Sequence, residues 1–330
     1  MLSPCLLFSG INQVTLGETD IPAPLAGEVL IETHYSCISP GTELRCLAGK
    51  QSGAPAWPYV PGYASSGKVI ATGTEVQGIT VGDAVFYGGT KHTSQAKCWG
   101  GHTGLAVADA ASVSLVPPTV SLDQASLAKL AAISYRGVRL SKAQPHEVVL
   151  VVGLGPIGML SALLHNLTGA RVIGLDLSPE RVALAHSLGL EAYASTDGIV
   201  KTFRSICPAG ADVVVDSTGF APVLTDTVLC AKDKPWDNSL TPAPRLIVQG
   251  SYAGDLVFPH GDAFMREMEV HFPRDSQPRD VETIISLLAR NKLNFAPIIG
   301  GHFAPAECAT VYERLRTSKG AFMTAVFKWR

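Results

Sequence analysis

The 330-residue sequence contains no Cys-x-x-Cys pair, no block of basic residues, no repeat and no apolar run long enough to cross a membrane. Each absence removes a class of protein. The seven cysteines (Cys5, Cys37, Cys46, Cys98, Cys207, Cys230, Cys308) are odd in number and dispersed. They make no disulfide framework and fit reduced thiols, so a cytoplasmic location is expected. The nine histidines show no metal-ligand spacing. A formal net charge of −2 without clustered Lys or Arg argues against nucleic acid or an anionic membrane surface as partner. The start, Met1 to Phe8, lacks a basic region and its apolar run is too short for a signal peptide. Charged residues make up only 16% and hydrophobic ones 46%, a balance that favours large buried cores over disorder, in a chain long enough for two domains.

What is present is concentrated near the middle. The apolar run Val148-Val149-Leu150-Val151-Val152 empties into Gly153-Leu154-Gly155-Pro156-Ile157-Gly158. A helical stretch, Met159 to Thr168, stops at Gly169, and a second apolar run from Arg171 ends on Asp176. Strand, G-x-G-x-x-G, helix, strand and acid in this order form the pattern of a dinucleotide-binding βαβ unit. Gly153 allows the tight turn, Gly155 admits a pyrophosphate to the backbone, and Gly158 lets helix and strand pack closely. Pro156 and Ile157 open the helix whose N-terminal N–H groups face the phosphates. The alternative is a glycine-rich turn with no ligand. Asp176 follows Gly153 by 23 residues, the place of an acid that accepts from ribose hydroxyls and repels a 2′-phosphate. Leu177, Ser178 and Pro179 follow, and the nearest base is Arg181 in the next helix. NAD is therefore expected over NADP. The competing reading of Asp176 is an acid at a helix N-terminus.

Residues 1 to about 118 read as short strands separated by Gly and Pro, including 29–33 and 67–72, a barrel-like spacing. From Asp123 to Lys142 the composition reads as helix. Strands at 147–152, 171–175, 190–194, 211–216 and 245–251 then alternate with helices at 156–168, 179–188, 198–206 and 221–231. This alternation implies a parallel sheet covered on both faces. A polar, proline-containing loop spans 232–244, and helices at 281–291 and 305–318 precede a last strand at 322–329. Residues 1–122 and 273–330 are expected to form one domain around a nucleotide domain at 123–272. Asp216-Ser217-Thr218-Gly219 ends a central strand, where ligands bind in such sheets. Ser217, Thr218 and, at the end of the next strand, Gly250 are candidate cofactor contacts.

The layout resembles the medium-chain dehydrogenase/reductase superfamily. The resemblance rests on Gly27-Glu28-Val29-Leu30-Ile31 after Pro22 and Pro24, the glycine- and proline-bearing segment 58–69, Val81-Gly82-Asp83-Ala84-Val85, and the glycine motif. It implies an α/β protein with a GroES-like β-barrel catalytic domain and a doubly wound parallel-sheet Rossmann domain, and it carries the expectation of a homodimer. Zinc members of the family hold a catalytic metal with Cys, His and Cys. Here the matching positions are Ser39, Tyr63 and Leu130, with Ala64 where the family has an acid, and the four-cysteine lobe is represented by Cys98 alone. Those residues make no zinc site, so a zinc-free protein is expected. Ser36-Cys37-Ile38-Ser39-Pro40-Gly41-Thr42-Glu43 and Val60-Pro61-Gly62-Tyr63 resemble the bacteriochlorophyllide-dehydrogenase-like branch, which oxidises a hydroxyethyl group to acetyl with NAD. Specialised or pigment metabolism is what that branch implies; Ala64 departs from it and leaves the substrate open.

Without a metal, hydrogen-bond donors must hold the charge that develops on the substrate oxygen. Tyr63 is the candidate proton donor; otherwise it is a packing aromatic. Ser39 and Thr42 are candidate partners of the substrate or cofactor; otherwise they serve the turn at Pro40-Gly41. Glu43 is a candidate for orienting them, or is simply paired. Lys129, beside Leu130, is a candidate contact to cofactor or carbonyl, or a solvated helix lysine. His102, in Gly100-Gly101-His102-Thr103-Gly104, carries less weight. Three activities remain open: secondary alcohol/ketone interconversion on a small molecule, reduction of an activated C=C or C=N bond, and nucleotide binding without catalysis.

Overall fold

Runs of β-branched residues form the strands at the centre of both sheets that carry the candidate sites. The computed structural model describes residues 1–237, 241–252, 254–318 and 320–330. Residues 238–240, within the polar loop read at 232–244, lie outside the described residues. The chain divides into two units, Met1–Leu130 with Pro278–Arg330, and Ala131–Gln277.

The first unit opens with an antiparallel hairpin, β1 (Leu2–Gly10) and β2 (Gln13–Asp20), turning at Asn12 in the left-handed region (φ 56°). This hairpin was not read from the sequence, because its first strand lacks a clean alternation. β3 (Glu28–Cys37) leads into α1 (Pro40–Leu47), followed by β4 (Tyr59–Val60), β5 (Ser65–Thr72), β6 (Ala84–Tyr87), β7 (Ala96–Lys97), β8 (Leu105–Asp109) and β9 (Ser114–Leu115). β3 is the hub, pairing antiparallel with both β5 and β8. The single helix expected over 123–142 is two, α2 (Leu122–Ser126) and α3 (Ala128–Ser141). The Ser126 hydroxyl bonds back to the Asp123 carbonyl at 2.6 Å, a local competitor to the helical ladder. α2 packs on β3 and β5, so the unit ends at Leu130 and not at the expected 122.

The second unit carries β10 (Val148–Val152), α4 (Pro156–Asn166), β11 (Arg171–Asp176), α5 (Pro179–Ser187), β12 (Glu191–Ala194), α6 (Ile199–Ile206), β13 (Val213–Asp216), α7 (Leu224–Cys230), β14 (Arg245–Val248), α8 (His260–Met265) and β15 (Glu269–His271). The six strands are parallel in the order β12-β11-β10-β13-β14-β15. The order reverses between β10 and β13, and a ligand crevice forms beyond the carboxyl ends of strands at such a point. The unit runs to Gln277, whose side-chain carbonyl accepts from Arg139 at 3.3 Å, five residues past the expected 272. The strand expected over 245–251 stops at Val248, where the chain turns and the Gln249 and Gly250 amides both bond to the Asp216 carbonyl.

The chain then returns to the first unit with α9 (Pro278–Ala289), β16 (His302–Phe303), α10 (Cys308–Thr317) and β17 (Val326–Lys328), which pairs with β3. The helix expected over 305–318 starts with a 3₁₀ turn at Pro305–Glu307. The core behind the first site packs Leu6, Phe8, Ile38, Tyr59, Tyr312 and Phe327. Among the described residues no helix is long and apolar enough to cross a membrane. These features make the fold an α/β architecture, a GroES-like domain joined to a Rossmann domain with a parallel sheet.

Candidate active site

In the first unit, β3 delivers the chain to Ser39 at the N-cap of α1. Ser39 does not cap the helix with its hydroxyl. The Glu43 carboxylate, one turn into the helix, accepts from the Ser39 amide at 2.7 Å, and the Ser39 hydroxyl is left to other work. That hydroxyl accepts from the Tyr63 phenol at 2.5 Å, and the Thr42 hydroxyl lies 3.3 Å from the same phenol. Ser39, Thr42 and Tyr63 thus form one hydroxyl cluster, with Ser39 and Tyr63 almost wholly buried.

Glu43 is fully buried and has three donors. Besides the Ser39 amide, His102 Nε2 donates at 2.9 Å and the Tyr312 phenol donates from α10. His102 Nδ1 meets the Ser36 hydroxyl at 2.7 Å, and Ser36 accepts from Trp329 Nε1 at 2.9 Å. With a proton on His102 Nε2, Nδ1 can accept from the Ser36 hydroxyl. Burial first, then the adjacent Glu43 carboxylate, push the Tyr312 phenol well above its ordinary pKa, so it remains a donor. Gly62, at φ 91°, makes room for this network: a Cβ there would lie 2.6 Å from the His102 ring. The arrangement ties α1, the loop at 101–102, α10 and the last strand to the hydroxyl cluster.

Lys129 lies half-buried on α3, and its neighbour Leu130 is buried and apolar. Ser, Tyr and Leu are not a zinc donor set, and Ser39 and Tyr63 spend their hydroxyls on each other. Among the described residues no three His, Cys, Asp or Glu side chains group as a metal site.

In the second unit, Gly153 turns at φ 86° as β10 ends. A Cβ on Gly158 would lie 1.7 Å from the Gly153 carbonyl oxygen, so α4 approaches the strand as closely as glycine allows. A Cβ on Gly155 would meet nothing within 4 Å. Gly155 is therefore required by no packing contact, and the open space beside it is where a pyrophosphate would lie. No side chain caps α4 at Gly155, and Pro156 and Ile157 form its first turn. Asp176 ends β11; its carboxylate accepts from the Leu154 amide at 2.6 Å and the Ser178 amide at 2.8 Å, with Arg181 Nη1 3.5 Å away. Thr218 donates to Asp216 at 2.7 Å. The Ser217 hydroxyl, at the switch point, is buried and has no hydrogen-bond partner among the described residues. Gly250 packs on Gly219, its added Cβ coming 2.7 Å from that amide.

Sequence reasoning missed Ser36, Tyr312 and Trp329 as members of the Glu43 network, and Trp99, whose ring meets Tyr63 edge-on with centroids 5.0 Å apart. Trp99 adjoins Gly100-Gly101, a signal of a tight approach. For Tyr312, 269 residues from Glu43, there was none.

Residues 25–123 match the Alcohol dehydrogenase GroES-like domain family and residues 156–290 the Zinc-binding dehydrogenase family, in that order. The two matches, in this order, make the chain similar in both of its parts to zinc-type alcohol dehydrogenases. It is 24% identical to 2-desacetyl-2-hydroxyethyl bacteriochlorophyllide A dehydrogenase of Cereibacter sphaeroides, over 100% of this chain and 99% of that protein. It is 28% identical to an uncharacterised zinc-type alcohol dehydrogenase-like protein of Escherichia coli, over 64% of this chain and 69% of that one. The fold matches 2R,3R-butanediol dehydrogenase from Bacillus subtilis with a TM-score of 0.86 at 19% identity, covering 99% of each chain. Two further solved structures with the fold, each covering 99% of both chains, carry a nicotinamide cofactor. An alcohol dehydrogenase of Escherichia coli CFT073 holds NADH (TM-score 0.85, 19% identity), and a zinc-binding dehydrogenase homologue of Sinorhizobium meliloti holds NADP (TM-score 0.85, 17% identity).

Proposed function

We propose that this protein is a nicotinamide-dependent, zinc-independent oxidoreductase that interconverts a secondary alcohol and its ketone. The observation that carries the reading is the hydroxyl cluster. Tyr63 donates to Ser39 at 2.5 Å beside Thr42, and Ser39 and Tyr63 stand at two positions the family resemblance assigns to zinc ligands. The dehydrogenase names of the relatives support the reaction class. The cofactor supplies or takes the hydride when bound. Gly153, Gly155 and Gly158 with the first turn of α4 would hold its pyrophosphate, Asp176 its ribose, and Ser217, Thr218 and Gly250 would line its nicotinamide side. Asp176, pinned by two amides, favours NAD over NADP; Arg181 at 3.5 Å is the cation that a 2′-phosphate would recruit.

In the reducing direction Tyr63 turns its O–H from Ser39 to the substrate oxygen, and the Ser39 hydroxyl in turn donates to the Tyr63 oxygen. Thr42 flanks the pair. Glu43 acts through the Ser39 amide and fixes the start of α1; it is a positioning residue. Lys129 is kept as a further candidate contact. The branch resemblance extends the reading to specialised or pigment metabolism.

The same reading extends to assembly as a homodimer. Among the described residues β15 is an edge strand, and Val257, Phe264, Met265 and Phe272 are exposed. An unpaired strand edge with apolar flanks is met by its own copy across a two-fold axis.

The experiment combines titration calorimetry with NADH and NADPH, elemental analysis, and a panel of secondary alcohols, ketones and enones followed by NADH absorbance. Tighter NADH binding, no zinc and turnover of alcohols or ketones are expected. One zinc per chain, lost together with activity on chelation, would sink the metal-free reading. Enone turnover alone would move the assignment to conjugate reduction, and cofactor binding without turnover would make the chain a non-catalytic homologue.

A further inference from the structure

Trp99 packs against the ring of Tyr63 and takes no part in the chemistry just described. Its backbone lies at φ 71°, a region bulky side chains rarely adopt. The loop is held in this shape from both sides. The Cys98 amide donates to the Val60 carbonyl at 2.8 Å, and the Gly101 amide donates to the Gly62 carbonyl at 2.7 Å. A Cβ on Gly89 would lie 2.3 Å from the Trp99 carbonyl oxygen, so the loop passes there only because residue 89 is glycine. Val60 and Gly62 lie on the segment that presents Tyr63, so these bonds also set the register of Trp99 against Tyr63. The result is an indole edge-on to the Tyr63 ring, with planes at 79°, yet 41% exposed while Tyr63 is 9% exposed. Core packing does not account for a large aromatic ring kept open by a strained, pinned loop.

We propose that Trp99 is a wall of the substrate site and selects alcohols and ketones that carry a flat aryl or other planar unsaturated group next to the reacting carbon. This rests on the reading of Tyr63 as the holder of the substrate oxygen. The indole centroid lies 5.0 Å from that of the Tyr63 ring, so an oxygen held by the Tyr63 hydroxyl sets the substituents of its carbon within reach of the indole. A planar group can lie offset or edge-on against the open indole surface, whereas a short saturated chain offers little area there.

Acetophenone and 2-butanone are the probes, each reduced with NADH by the full-length protein. The ratio of kcat/KM for acetophenone to that for 2-butanone is expected to fall about tenfold in Trp99→Ala, mostly through KM, and to stay within about threefold in Trp99→Phe, which keeps an aromatic face. An unchanged ratio in Trp99→Ala overturns the proposal. Turnover of neither ketone by the wild-type protein counts against the Tyr63 reading, and the wall is then tested by binding alone. In the NADH complex with ¹⁵N-labelled tryptophan, the Trp99 indole resonance, assigned with Trp99→Phe, is expected to move with acetophenone and to stay in place with 2-butanone. A Trp99 resonance that ignores acetophenone overturns the proposal, and this measurement needs no Trp99→Ala protein to fold.

Discussion

In the proposed reaction, Tyr63 is the residue on which the chemistry turns. A donor that acts mainly in the transition state is worth ~10²–10³ in rate, so Tyr63→Phe should lower kcat by about that factor and leave NADH affinity nearly unchanged. Wild-type kcat in the variant would reduce Tyr63 to packing and pass the role to Ser39, Thr42 or Lys129. Glu43 shows why residue type alone does not settle a role. The sequence left it either orienting or merely paired, and the structure makes it a carboxylate with three donors, one of them the Ser39 amide. His165 makes a prediction of a different kind. It is fully buried on α4, donating from Nδ1 to the Ser161 carbonyl at 2.9 Å. Burial holds its pKa down to about 4 against that hydrogen bond. The unfolded chain therefore binds a proton below about pH 6.5 that the folded chain refuses until about pH 4. This stabilisation is complete above pH 6.5 and falls away towards pH 4, by about 3 kcal/mol. Denaturant melts between pH 4 and 7 should show that loss, and His165→Gln should flatten it.

At the scale of elements, the strand–glycine–helix–strand unit separates a glycine that packing requires from one that packing does not. Gly158→Ala would place a Cβ 1.7 Å from the Gly153 carbonyl oxygen, so a stability loss of more than about 2 kcal/mol is expected in a thermal melt. Gly155→Ala meets nothing within 4 Å, so stability should stay within about 0.5 kcal/mol. NADH affinity, read by calorimetry, should still drop about tenfold or more, because the methyl would occupy the space of the pyrophosphate. An alanine at 155 that leaves affinity intact would remove the cradle from the cofactor argument. This unit was legible because its signals are local: each glycine acts on neighbours within a few residues. The 123–142 segment was less so. Its composition reads as one helix, and the break at Leu127 comes from a serine bonding to its own turn and from packing on β3 and β5.

For the whole molecule, the edge strand β15 predicts a dimer by light scattering at micromolar concentration. Met265→Glu, on the exposed flank, should shift it towards monomer; a wild-type monomer would refute the assembly. The sequence by itself determined the two-part organisation, the parallel sheet and the glycine cradle with its acid, because periodicity and short-range turn chemistry encode them. It also brought forward Ser39, Thr42 and Tyr63, through their place in a family pattern. Only the tertiary structure decided what those hydroxyls do with one another, that Glu43 answers to Tyr312 across 269 residues, and that Trp99 is pinned against Tyr63. Those contacts join segments with no shared period or spacing. They exist because a buried carboxylate must find donors wherever the fold brings them, and because Gly62 leaves room for the His102 ring and Gly89 for the Trp99 backbone where a side chain would not.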